Sequence, residues 1–316
     1  MSAPWPRYVT AFDLAANFSG YFPYGMLCVL AFVGRLSRAA AVAVAIASGA
    51  LLSLLLESVQ SFLPARIPSN VDVLANLAGA TTGAIVAAVF LRWLLSGGPL
   101  RRLRAHAMTP GAAADLGLAL LGLWLFAQLN PVALLFGSGD LRDLFTGAAG
   151  QPHKAELFVS IEAAITAMNL AAVVALASAG ARAGAPLRLM VVLLIVLALV
   201  VKTFAFAVVM RAENVFAWLT PGAQLGLAAG IALAMVALWL PRTARLALAA
   251  MLLMAATVLV NLAPPNPYFA ATLKVWEQGH FLNFNGLTRL VSAAWPFAAL
   301  GYLVYLASAR LRDPLR

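Results

Sequence analysis

Nine apolar runs of about 20 residues recur along this chain, and runs of that length leave few ways to fold. About 20 residues of helix cross a bilayer core of about 30 Å. The runs cover residues 17–34, 39–63, 71–95, 113–136, 156–179, 186–210, 221–240, 245–262 and 287–309. Composition agrees: 63% of residues are hydrophobic and 10% charged, against roughly 45–50% and about 25% in soluble domains. Strands of an outer-membrane barrel would alternate over about 10 residues, which these runs do not. The reading is an all-α, polytopic transmembrane helical bundle. Within the run 221–240 the preceding stretch 215–219 reads as a short interfacial or re-entrant turn before Pro221.

The net charge of +10 points to topology rather than to nucleic acid, because no soluble segment is long enough to form a basic face. Assigning alternate loops to two sides places thirteen of the 21 basic residues on one side and seven on the other, with Lys202 inside a run. The positive-inside rule makes the richer side cytoplasmic and puts the carboxyl terminus there. The amino terminus then lies outside without a signal peptide, which leads us to expect a further span encoded upstream. Residues 1–96 and 111–316 read as two membrane domains, joined by a basic cytoplasmic loop at 97–110 that carries Arg101, Arg102 and Arg104. That loop anchors topology and is suited to anionic lipid.

One cysteine, Cys28, allows no internal disulfide, and His106, His153 and His280 are too scattered to form a metal-ligand set. No metal or other cofactor is implied. Phosphate loops, nucleophile elbows and paired-cysteine motifs are absent.

Polar side chains inside apolar runs are costly and mark functional sites. They gather at the junction of the second and third runs. Glu57 and Gln60 share a helical face with Ser53 one turn deeper, and Asp72 and Asn76 share another. Gly79 and Gly83 continue that side as a small-residue pair that lets backbones approach. The short connection 64–70 makes the two runs a hairpin, so Glu57, Gln60, Asp72 and Asn76 converge below Arg66, their natural counter-ion. Two readings stand: a polar tie for the hairpin, or a ligand or catalytic site, Glu57 and Asp72 being the candidate general bases in the catalytic case.

A second polar set runs toward the same expected outer side: Asp13, Asn17, Gln128, Asn130, Glu162, Lys202, Gln224 and Asn261. Glu162 and Lys202 lie at similar depth and suit an ion pair, or else both snorkel to the interface. The last outer loop holds Glu277 and His280, either as part of an interfacial element or as acid and base on a lid.

At the junction the pattern Glu57-x-x-Gln60, Arg66-x-x-Ser69-x-x-Asp72-x-x-x-Asn76-x-x-Gly79 resembles the VanZ-like family, named for a teicoplanin-resistance protein. So does the upstream stretch from Phe12 and Asp13 through Asn17 and Tyr21 to Gly25. The similarity covers roughly residues 10–95 and lacks that family's first span. It implies a multi-pass protein of the bacterial cytoplasmic membrane, linked to the cell envelope and to antibiotic resistance, not obviously an enzyme. Its implied partners are the lipid bilayer and a lipid-linked envelope precursor or glycopeptide. A transporter or flippase for an amphipathic precursor, and an enzyme using the paired carboxylates on a lipid-linked substrate, remain as alternatives.

Overall fold

In the computed structural model the described residues are 11–33, 35–60, 70–94, 98–142, 155–209, 215–264, 266, 268 and 282–312. They form ten α-helices and no strands: α1 Ala11–Phe32, α2 Arg38–Gln60, α3 Asn70–Leu94, α4 Pro99–Ala107, α5 Ala112–Ala127, α6 Ala155–Ala179, α7 Leu187–Val209, α8 Pro221–Trp239, α9 Arg242–Leu262 and α10 Leu282–Arg312. Seven of them are long and apolar enough to cross a membrane: α2, α3 and α6 to α10. The helical-bundle class therefore holds. Of the nine expected spans, those at 17–34 and 113–136 fall short of that standard. In α1, Asn17, Pro23 and the glycines dilute the apolar content. The other run breaks at Ala127, leaving α5 with 16 residues.

The chain divides into two compact units, Met1–Arg104 and Ala105–Arg316. The division falls inside α4, so the basic stretch expected as a loop is largely helical.

In the first unit α1 and α3 form the tightest pair, and α2 packs on both. Gly25, Gly79 and Gly83 explain the pairing. A Cβ on Gly25 would collide with the carbonyl of Ala80, one on Gly79 with that of Phe18, and one on Gly83 with that of Phe22. The small-residue pair thus serves α1 and α3 rather than the α2–α3 hairpin. Val29, Ala41, Ala45, Ala84 and Ala87 complete a core of small side chains. Leu51, Leu54, Leu55, Ile85, Val89 and Phe90 face outward, as lipid contact requires.

The second unit is built around α6, in which every residue from Asn169 to Ala179 is buried. Gly222, Gly226 and Gly230 of α8 lie flat against it; a Cβ on Gly226 would stand 2.5 Å from the Thr166 Cβ. Packing in lipid relies on such small-residue contacts, since the hydrocarbon offers no hydrophobic driving force between helices. On the opposite flank α5 and α10 are tied by Trp295 Nε1 donating to the Leu120 carbonyl at 2.7 Å and Tyr302 Oη to that of Ala113 at 3.0 Å. At the basic end, the chain after α4 pairs with the end of α6 through the Thr109 amide donating to the Gly180 carbonyl and the Arg182 amide to that of Ala107.

Between α5 and α6 the chain does not stay helical. Residues 128–142 fold back among the helices as irregular backbone, and nearly all of 130–139 is buried or half-buried. The expected turn before α8 is present at 215–218. Thr220 caps α8, its hydroxyl accepting from the Ala223 amide at 3.1 Å, and Pro221 follows at the first helical position.

Candidate functional site

Two polar arrangements stand out, one in each unit. In the first, each of three helices contributes at least one polar side chain. Asn17 of α1 donates through Nδ2 to Oδ1 of Asp72 on α3 at 2.8 Å. Asn76, one turn further along α3, donates through Nδ2 to Oγ of Ser53 on α2 at 3.0 Å. Ser53 and Asn76 are buried. Tyr21 lies one turn beyond Asn17 on the same face of α1, and its electrostatic neighbours are Ser53 and Glu57. Among the described residues no hydrogen-bond partner reaches the buried Asn76 Oδ1, and the buried Tyr21 hydroxyl, with Ser53 beside it, meets no partner at full hydrogen-bond geometry. Such orphans are few in folded proteins and each calls for an explanation.

Of the group expected to converge, Glu57, Gln60, Asp72 and Asn76 below Arg66, the structure places Asp72 against Asn17 and Asn76 against Ser53, with Glu57 near Tyr21. Asn17, placed above in a secondary set with Asp13, Glu162 and Lys202, belongs with Asp72 instead. The side chains of Asp13 and Gln60, and the whole of Arg66, lie outside the described residues. Tyr21 was the signal most easily missed, because a tyrosine in an apolar run reads as an interfacial anchor.

Residues 2–91 match the VanZ/LLP1 family. That VanZ-like segment contains every residue of the polar site in the first unit. No curated protein matches the chain, and no solved structure does.

The second arrangement answers a problem set by residues 128–142. Irregular backbone inside a membrane protein is tolerated only where other groups satisfy it. Lys202 of α7, fully buried, donates through Nζ to the carbonyls of Asn130 at 2.8 Å and Ala133 at 2.6 Å. Gln128 Oε1 accepts from the Phe136 amide at 3.2 Å, and Thr166 Oγ1 donates to the Leu135 carbonyl at 3.2 Å. Asn261 of α9 accepts from the Leu141 amide at 2.8 Å and donates to the Gly139 carbonyl at 2.7 Å. Phe136 sits at φ 60, a left-handed conformation unusual for a bulky residue. It is held there by Gln128 and by its ring against Trp124, with centroids 5.4 Å apart. Much of the second polar set therefore exists to hold this segment.

Arg142 closes the segment. Its guanidinium reaches both Asp140 carboxylate oxygens, at 2.9 and 2.6 Å, and donates to the Ala263 carbonyl at the end of α9. Partial burial alone would raise the Asp140 carboxyl. The hydrogen bonds and charge of Arg142, with Arg289 adding to them, outweigh that effect and hold it below its ordinary value.

Glu162 and Lys202 do not form the expected ion pair. Glu162 Oε2 instead accepts from the Thr220 hydroxyl at 2.7 Å, beside the positive N-terminal end of α8. Nor do they snorkel: both are buried within the protein. Gln224 turns away and donates to the Leu219 carbonyl. Glu277 and His280 lie outside the described residues.

Proposed function

We propose that the VanZ-like segment binds the polar part of a cell-envelope component, a lipid-linked precursor or a glycopeptide, at the outer leaflet of a bacterial cytoplasmic membrane. The observation that carries this reading is the cluster of Asn17, Tyr21, Ser53, Asp72 and Asn76, of which Ser53 and Asn76 are buried and the others half-buried, with an acceptor on Asn76 and a hydroxyl on Tyr21 that no hydrogen bond satisfies among the described residues. A set of groups that only tied helices together would satisfy itself, since a half-satisfied network costs more than an apolar contact. Unspent donors and acceptors beside a carboxylate suit a ligand rich in amides and hydroxyls. Arg66, by its place in the motif, supplies positive charge for an anionic group such as a phosphate or a terminal carboxylate.

The test is a set of chromosomal substitutions, Glu57→Gln, Arg66→Ala, Asp72→Asn and Asn76→Ala, scored for sensitivity to envelope-directed drugs while protein abundance is followed. The reading expects altered sensitivity at unchanged abundance for at least Arg66→Ala and Asn76→Ala. A fall in abundance for every variant would assign the cluster to helix packing. Accumulation of a precursor on the cytoplasmic side would indicate transport, and an altered lipid or muropeptide product would indicate an enzyme.

A further inference from the structure

In the second unit Glu162 and Lys202 line one cavity together with Pro131, Leu135, Trp218 and Asn266. They make no direct ion pair, yet each is an electrostatic neighbour of the other. Both are more than nine-tenths buried. Glu162 lies seven residues from the start of α6, and Lys202 seven from the end of α7. At 1.5 Å per residue that is about 10 Å inside each helix. Bulk solvent does not compensate charges at that depth, so the compensation has to come from within the protein.

Hydrogen-bond accounting leaves each group with something to spare. An ammonium has three N–H donors, and Lys202 gives two of them to the Asn130 and Ala133 carbonyls. Glu162 Oε2 accepts from the Thr220 hydroxyl and lies flat on Gly222, where a Cβ would collide with it. Among the described residues no donor reaches Glu162 Oε1. The cavity between these unspent groups has a volume of about 10 Å³, the space that one water takes.

The occupant follows by elimination. Glu162 repels an anion and Lys202 repels a cation, while an apolar atom would leave both unsatisfied at high cost. Organic groups are too large. Water alone is small enough, accepts from the ammonium and donates to the carboxylate at once, and buried waters are held by two to four such partners.

We propose that a single structural water bridges Lys202 Nζ and Glu162 Oε1, and that Glu162 acts through it as the positioning residue that keeps the Lys202 ammonium on the backbone of residues 130–133. One carboxylate on α6 thus governs a stretch of irregular chain to which it makes no hydrogen bond itself. The site lies outside the VanZ-like segment and stands apart from the function proposed there.

A crystal structure of the full chain grown in lipid, at a resolution that shows ordered water, tests the bridge. The expected result is one density peak within about 3 Å of both Nζ and Oε1. An empty cavity, or direct contact between ammonium and carboxylate, overturns it. Hydrogen exchange of the full chain in nanodiscs, read by mass spectrometry, tests the positioning. Glu162→Gln raises exchange of the 128–142 amides about tenfold, the loss of one charge-assisted contact, while the amides of α6 keep their wild-type protection. Thr220→Val removes the other partner of Glu162 but keeps its charge, so it loosens the start of α8 and leaves 128–142 protected. In a Lys202→Met background Glu162→Gln adds no further loosening, because the ammonium it acts through is gone. Equal loosening of 128–142 by Glu162→Gln and Thr220→Val, loosening by neither, or loss of protection throughout α6 would make Glu162 a packing residue and overturn its positioning role.

Discussion

At the scale of single residues, two segments of the chain treat polar groups in opposite ways, although the second unit also keeps the buried Trp124 Nε1 and Arg245 Nε without a partner among the described residues. Residues 128–142 spend donors to cancel acceptors almost one for one, whereas the VanZ-like segment keeps the Asn76 Oδ1 and the Tyr21 hydroxyl unspent. Asp140 shows how such pairing enters stability. Its carboxyl is held below the ordinary value of 3.8, so the folded state favours its charged form. The contribution is complete above that ordinary value and disappears as the pH falls through the lowered one. Asp140 and Arg142 are 37% and 41% exposed, and solvent screening limits the pair to about 1 kcal/mol or less. Asp140→Asn should therefore lower the thermal midpoint slightly at neutral pH and should flatten its decline below about pH 4. Parallel acid profiles for the two proteins would refute the assignment.

Among elements, the irregular segment and the glycine face of α8 make the firmest demands. Lys202→Met keeps the length of the side chain but strips the donor from two carbonyls. Each buried group left unmet costs about 1–3 kcal/mol, so a loss of about 2–6 kcal/mol is expected in detergent unfolding, most of it absent if the segment is not held there. Gly226→Ala should cost about 1–3 kcal/mol by overpacking against Thr166 and the Ala163 carbonyl. Gly122→Ala, with nothing within 4 Å of the added methyl, should be neutral or slightly stabilising; equal effects at the two sites would remove the case for a close α6–α8 contact. These elements also show where a linear reading succeeds. Helix existence followed directly from the length of the apolar runs. The end of α5 did not, because Val132 to Phe136 continue the hydrophobic composition after the chain has turned. Asn130-Pro131, Gly137 and Gly139 were the available turn signals, outweighed by hydropathy. Helix partnership was harder still. Small residues announce a close contact without naming which neighbour takes it, so nothing in the spacing of Gly79 and Gly83 identified α1 as their partner.

At the level of the whole molecule, orientation decides whether the polar cluster of the VanZ-like segment meets the envelope or the cytosol. The bias of basic residues toward one set of connections predicts that Ser69→Cys, on a background with Cys28 replaced, reacts with a membrane-impermeant maleimide in intact cells. Labelling only after the cells are opened would reverse the topology and with it the function proposed for the segment. The convergence of Ser53 with Asn76 was readable from helical spacing and a short hairpin. The Asn17–Asp72 contact was not, because it joins helices separated by a whole span, and no local period encodes such a meeting.

The grip on Lys202 comes from main-chain oxygens, and every amino acid carries the same one. A substitution at 133 can therefore change the side chain while the ammonium keeps both of its acceptors, provided the local trace of the chain is retained; at 130 the buried side chain also accepts from the Val132 amide and is less free. Among descendants of this gene, the side chain at 133 should drift while the single lysine that its carbonyl helps to clasp stays fixed.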